Sequence, residues 1–208
     1  MNRTSTMERN LFSFKAIGTV NGITKISILS VLAYLIMFIE MPLFFFPGFL
    51  KIDFSDLPGL IGGFALGPVA GIMIQLVKNI LHFLTKTTTG GVGELANFLI
   101  GIALIVPASI AYNKYPTKKA AMLGLMVGIV TMGVVGGLAN YYILLPFYAK
   151  VMPLEQIIAW SASANKAIVD IKTLVFYGVV PFNLLKGMIL AVMTSVLYKR
   201  LSPILKVK

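Results

Sequence analysis

The sequence predicts an all-α integral membrane protein with six transmembrane helices in one bundle. Three observations predict it. Hydrophobic residues make up 58% of the 208-residue chain and charged residues only 12%, about half the share usual in a soluble domain. Mean hydropathy is +0.90, too high for an ordinary soluble surface. The apolar residues gather in long runs, several near the roughly 20 residues a helix needs to cross a bilayer, with Pro, Gly and basic residues between them. The chain divides into an N-terminal tail at 1–25, a membrane domain at 26–198 and a basic tail at 199–208. No hydrophilic block is long enough for a separate nucleotide-binding or catalytic domain.

The tail 1–25 carries Arg3, Arg9, Lys15 and Lys25 against Glu8 alone, and its stretch 11–20 is mildly amphipathic, suited to a membrane surface. The first span is expected at 26–39, ending at Glu40-Met41-Pro42. A phenylalanine-rich loop follows, with Phe44, Phe45, Phe46, Phe49 and Phe54 around Lys51, Asp53 and Asp56. The stretches 57–66 and 69–84 are apolar, and Gly67-Pro68 between them breaks the pattern into two short helices. A polar glycine-rich loop at 86–93 leads to a span at 94–111, a basic turn at 112–119, and a long glycine-rich span at 120–145 that Pro146 stops. A moderately polar connection at 147–166 holds the lone Trp160, and the last span is expected at 173–197. No convincing inverted repeat relates the spans, which weakens a two-halved secondary transporter.

The net charge of +11 comes from 18 basic and 7 acidic residues. In a membrane protein this excess reads as the positive-inside bias rather than a nucleic-acid surface. With six helices, the N-terminal tail, the 112–119 turn and the C-terminal tail share a side. They hold 11 of the 18 basic residues, Lys114, Lys118, Lys119, Lys199 and Arg200 among them, with Glu8 as their only acid. Both termini are therefore expected in the cytoplasm of a plasma-membrane protein. Five spans would separate the two basic tails.

Several chemistries find no support. There is no cysteine and only one histidine, while zinc sites take three or four ligands. The pattern G-x-x-x-x-G-K-[ST] is absent, so no phosphate-binding loop is present. An enzyme is not expected, nor a resident cofactor. Ionisable and amide side chains inside a bilayer are costly, and each is a candidate for function. Asn183 and Lys186 stand at i and i+3 behind Pro181 in the last span. Lys186, too deep to reach either surface, faces a polar cavity or an acidic partner, or serves as helix–helix glue. Asn140 follows Gly136-Gly137 near the end of the fifth span. Glu94 and Asn97 open the fourth. Gln75, Lys78, Asn79 and His82 make a polar stripe on the third helix. The phenylalanine loop is an aromatic belt or the lid of a flat, partly polar ligand, which favours aromatic walls with a few convergent polar groups.

Several ordered motifs together resemble a known family. They are 50–58 (LKIDFSDLP), 62–71 (GGFALGPVAG), 78–83 (KNILHF), 93–98 (GELANF) and 181–187 (PFNLLKG). The likeness covers about 25–200 and is to the riboflavin-specific substrate-binding subunits of energy-coupling factor (ECF) transporters. That resemblance implies a six-helix subunit that captures riboflavin with high affinity. It implies a T-type transmembrane partner, two cytoplasmic ATPases, and release inward by toppling in the bilayer. It also implies a flavin site near the outer face, under the loop with Phe49, Lys51 and Ser55, with Glu94, Asn97, Asn140, Asn183 and Lys186 as polar contacts. The same scaffold tuned to another vitamin, or to flavin mononucleotide (FMN), is the alternative. One departure concerns the first helix. The family often shows alanines four apart where it meets the T-type partner, whereas here Ser27, Ser30 and Ala33 are the small residues.

Overall fold

A computed structural model describes residues 18–205; most of the expected N-terminal tail and the last three residues lie outside them. Helices account for nearly all regular structure. Five are long and apolar enough to cross a membrane: Val20–Met37, Pro68–Lys86, Val92–Lys114, Lys118–Tyr148 and Ile171–Tyr198. A sixth apolar helix, Leu57–Leu66, has ten residues and a length of about 15 Å, half a bilayer core.

The first helix, α1 (Val20–Met37), begins six residues earlier than the sequence pattern suggests, because Thr19 caps it by accepting the Gly22 N–H at 3.1 Å. Residues 20–25 thus belong to the helix and not to a tail. Ser30 and Ala33 are fully buried, with Ala33 against Leu66, Ala70 and Ile74. Two of the three small residues are therefore spent inside the bundle, not on an outer face. The loop 38–56 folds back through the two-residue strands β1 (Met41–Pro42) and β2 (Lys51–Ile52), paired antiparallel. Helices α2 (Leu57–Leu66) and α3 (Pro68–Lys86) are separate as expected. Gly67 between them adopts φ +105°, a conformation that favours glycine.

Helix α4 (Val92–Lys114) and α5 (Lys118–Ala139) run longer than the apolar stretches, leaving only 115–117 as the turn. Their lysines are strong helix formers, and Thr117 caps α5 by accepting the Ala120 N–H. Pro146 does not stop the fifth helix. A π-helical turn, Asn140–Leu144, carries it into α6 (Leu145–Tyr148). The last span does the same: α8 (Ile171–Leu174) passes through a π turn, Val175–Val179, into α9 (Val180–Leu205), just before Pro181. Each proline lacks an N–H for the ordinary i−4 ladder, and the preceding backbone shifts to i−5 bonds, Leu145 to Asn140 and Val180 to Val175. Such π turns recur at functional sites. The polar connection contains α7 (Leu154–Ala164), on which Trp160 is exposed. Asp170 caps α8, and the Thr173 backbone N–H holds its carboxyl below the usual carboxylate range.

Side-chain contacts fix the two ends of the bundle. His82, Glu94, Lys86 and Phe38 meet at one end. Phe64, Tyr112 and Tyr198 meet at the other. The start of α1 and the end of α9 consequently lie at the same end. Outward faces are apolar, as with Leu32 and Leu35 on α1 and Met122, Met126 and Val130 on α5, and polar groups turn inward. This inversion of the soluble pattern belongs to a multi-pass membrane protein, where the surrounding lipid is itself apolar.

Candidate ligand-binding site

Four charges are buried together where the loop 38–56 dips into the bundle. Lys186 of α9 donates to Asp53 Oδ2 at 2.8 Å and lies 3.0 Å from Asp56 Oδ2. Lys78 of α3, fully buried, donates to Asp56 Oδ1 at 2.8 Å and to Ser55 Oγ at 2.9 Å. Gln75 adds a third bond to Asp56, at 2.9 Å, and Ser55 donates to Asp53 through both its N–H and its hydroxyl. Two lysines balance two aspartates, so the cluster is neutral. Buried charges are tolerable when paired and hydrogen-bonded in this way. Glycine supplies the room, since a Cβ at Gly101 would stand 2.8 Å from Gln75 Oε1 and 3.1 Å from Asp56 Oδ1.

Above this cluster lies a cavity of about 170 Å³. Phe49, Leu50 and Lys51 of the loop cover it, Asn97 and Ile100 of α4 and Phe182, Asn183 and Lys186 of α9 wall it, and Asn140 and Tyr148 close the side from the fifth helix. Phe49 and Tyr148 meet edge-to-face at 6.2 Å. Asn140 donates to the Gly136 carbonyl and Asn183 to the Val179 carbonyl, both at 2.9 Å. The Oδ1 atoms of Asn97 and Asn140 are buried with no hydrogen-bond partner. Gln75 Oε1, Asn79 Oδ1 and Ser109 Oγ are orphaned elsewhere; such groups are costly, and the two that line this cavity are placed to accept from a ligand. The cavity thus combines aromatic walls, amide acceptors and a neutralised ammonium.

The family model for the substrate-specific component of ECF transporters matches residues 21–198. The chain belongs to that family of S components. Among its relatives, the riboflavin transporter RibU of Staphylococcus aureus (strain TCH60) is 37% identical over 87% of this chain and 90% of its own length. The riboflavin transporter FmnP of Bacillus subtilis (strain 168) is 33% identical over 88% and 93%. A solved S component of a bacterial ECF transporter superposes with a TM-score of 0.71 at 34% identity, covering 89% of this chain and 97% of that one.

In this S component, six of the eight residues expected at the site line the cavity: Phe49, Lys51, Asn97, Asn140, Asn183 and Lys186. Lys186 has both a cavity and an acidic partner. Ser55 and Glu94 are not on the wall. Ser55 is fully buried inside the ion cluster. Glu94 faces His82, 2.8 Å from Nδ1, and accepts from the Thr87 and Thr89 hydroxyls. Lys51, on the rim, pairs with Glu40 at 2.6 Å, both half exposed, an arrangement worth at most about 1 kcal/mol. The roles of Asp53, Asp56 and Lys78 escaped the motif reading. A charge balance would have found them, since a mid-helix Lys78 and Lys186 need two carboxylates, and the loop 53–56 is the nearest source.

Close packing around Asn183 gives a direct test of the wall. A Cβ at Gly136 would stand 2.6 Å from Asn183 Nδ2 and 2.7 Å from its Cγ. Gly136→Ala is expected to displace Asn183 at a cost of about 1–3 kcal/mol and to weaken ligand binding, measured by fluorescence titration of the purified protein. Wild-type affinity would show that Asn183 has no part in the site.

Proposed function

We propose that this chain captures riboflavin in the Asn97–Asn140–Asn183–Lys186 cavity, as the substrate-binding subunit of a vitamin importer driven by ATP hydrolysis on separate subunits. The pair of orphaned amide oxygens on Asn97 and Asn140 carries this reading. The flavin ring imide and the ribityl hydroxyls are donors that suit them, and Phe49, Tyr148 and Phe182 suit the flat ring. A T-type membrane partner and two cytoplasmic ATPases complete the importer. The six crossings are α1, the dipping loop with α2, α3, α4, the fifth helix and the last helix, with both termini in the cytoplasm and the cavity outside. The cavity is smaller than the roughly 300–1,000 Å³ of usual small-molecule sites, so entry requires the loop with Phe49 and Lys51 to move outward.

FMN fits less well. The two lysines on the cavity, Lys51 and Lys186, are each already paired with carboxylates, and no cation cluster meets a phosphate. The detergent-purified protein is expected to carry a flavin absorption spectrum before any ligand is added, and to quench riboflavin fluorescence at concentrations at least tenfold below those needed for FMN, a difference of about 1.4 kcal/mol. A colourless sample that fails to quench added riboflavin would overturn the flavin assignment. Equal or tighter FMN binding would move it to the phosphorylated form.

A further inference from the structure

At the end of the bundle away from the ligand cavity lies a larger groove, of about 500 Å³. Its inner wall is aromatic: Phe64 stacks on Tyr112 at 4.9 Å, and Tyr198 stands edge-on to both at 5.4 Å. Leu125 and Met122 of α5 extend the apolar surface, and Thr117 and Lys118 form the mouth. Lys118 and Lys119 are exposed at the start of α5, with Lys114 before them and Arg200 exposed near the end of α9. The six acidic residues among those described, Glu40, Asp53, Asp56, Glu94, Glu155 and Asp170, all sit on segments of the ligand-cavity end. The groove is thus mainly apolar inside, and the described charges around its end of the bundle are cationic.

We propose that this groove holds one anionic phospholipid. One acyl chain lies against the Phe64–Tyr112–Tyr198 wall, and the phosphate meets Lys118, Lys119 and the first turn of α5. Charge selects the occupant. A lipid anion is drawn to juxtamembrane lysines, and the start of a 22-residue helix adds its own positive pole. The chain's own residues 1–17 are a poor alternative, because they carry Arg3, Arg9 and Lys15 against Glu8 and would be repelled by the same rim. The site stands on different residues from the ligand cavity and does not depend on the flavin reading.

The test is native mass spectrometry of the full-length detergent-purified protein with dioleoyl phosphatidylglycerol or dioleoyl phosphatidylcholine added at matched concentration. One retained phosphatidylglycerol is expected, favoured about 30-fold over phosphatidylcholine, the scale two lysines near a surface supply. Ala121→Trp, which fills the groove, is expected to abolish that retention. The double change Lys118→Gln, Lys119→Gln is expected to remove the preference while the protein stays monodisperse on gel filtration. Equal retention of the two lipids, phosphatidylglycerol retention unchanged in both variants, or displacement of the lipid by millimolar inorganic phosphate would each overturn the proposal.

Discussion

Lys78→Met is expected to destabilise the folded protein by about 3–5 kcal/mol, the cost of leaving a buried charge without its partner. Lys78 is fully buried and does not line the cavity, yet it holds Asp56 at 2.8 Å and Ser55 at 2.9 Å. Its loss leaves two aspartates facing Lys186 alone. Asp56, relieved of one ammonium, competes with Asp53 for the other, and the loop that covers the cavity is no longer pinned to α3. Ligand affinity should therefore fall together with stability, although nothing on the cavity wall has changed. The compensating double variant Lys78→Met, Asp56→Asn restores neutrality, with Asp53 opposite Lys186. It is expected to recover a large part of the loss in thermal unfolding of the detergent-solubilised protein followed by gel filtration. Neighbours in one network couple by about 0.5–3 kcal/mol. If the two changes simply add, the four charges do not act as a unit, and the account of how the loop is anchored fails.

The ion cluster also marks where the sequence was legible and where it was not. Span content was readable because lipid imposes long apolar runs on a helix. Gly67-Pro68 was readable as a break because a positive φ and a missing N–H are local properties. Pro146, unlike Pro181 inside the expected last span, misled the boundary reading for a physical reason. A π turn re-registers the ladder before each proline, and nothing in a periodic pattern announces it. The cavity amides Asn97, Asn140 and Asn183 stood out because an amide in a span has no other excuse. Glu94 stood out too, and Ser55 entered through the resemblance, but a motif carries no information about which way a side chain turns. Ser55 went to Lys78 and Glu94 to His82, partners 23 and 12 residues away. Pairings at that separation are set by tertiary packing. The fate of Ser30 and Ala33, buried against α2 and α3, is of the same kind: small residues signal close approach without saying to what.

Asn140 offers the test that separates a ligand contact from a structural polar group. Its Nδ2 bonds within the helix, to the Gly136 carbonyl, and its Oδ1 is buried without a partner. Asn140→Leu keeps the side-chain size and removes the orphan. A side chain retained for stability would be missed, because losing one hydrogen bond costs about 0.5–1.5 kcal/mol. Here the opposite is expected: the ligand-free protein is as stable as wild type or more so, since the uncompensated burial of Oδ1 is relieved. Binding should weaken by about 10–100-fold, because a ligand donor then faces a methyl group and is left unpaired at about 1–3 kcal/mol. Fluorescence titration reads the affinity, and thermal unfolding without ligand reads the stability. The two must move in opposite directions, or binding alone must fall. If affinity is untouched, Asn140 is not a ligand contact. If stability and affinity fall together, Asn140 supports the π turn at Asn140–Leu144 and shapes the cavity only through it. A matching result at Asn97, the other orphaned oxygen on this wall, would place two acceptors on neighbouring helices facing one bound molecule.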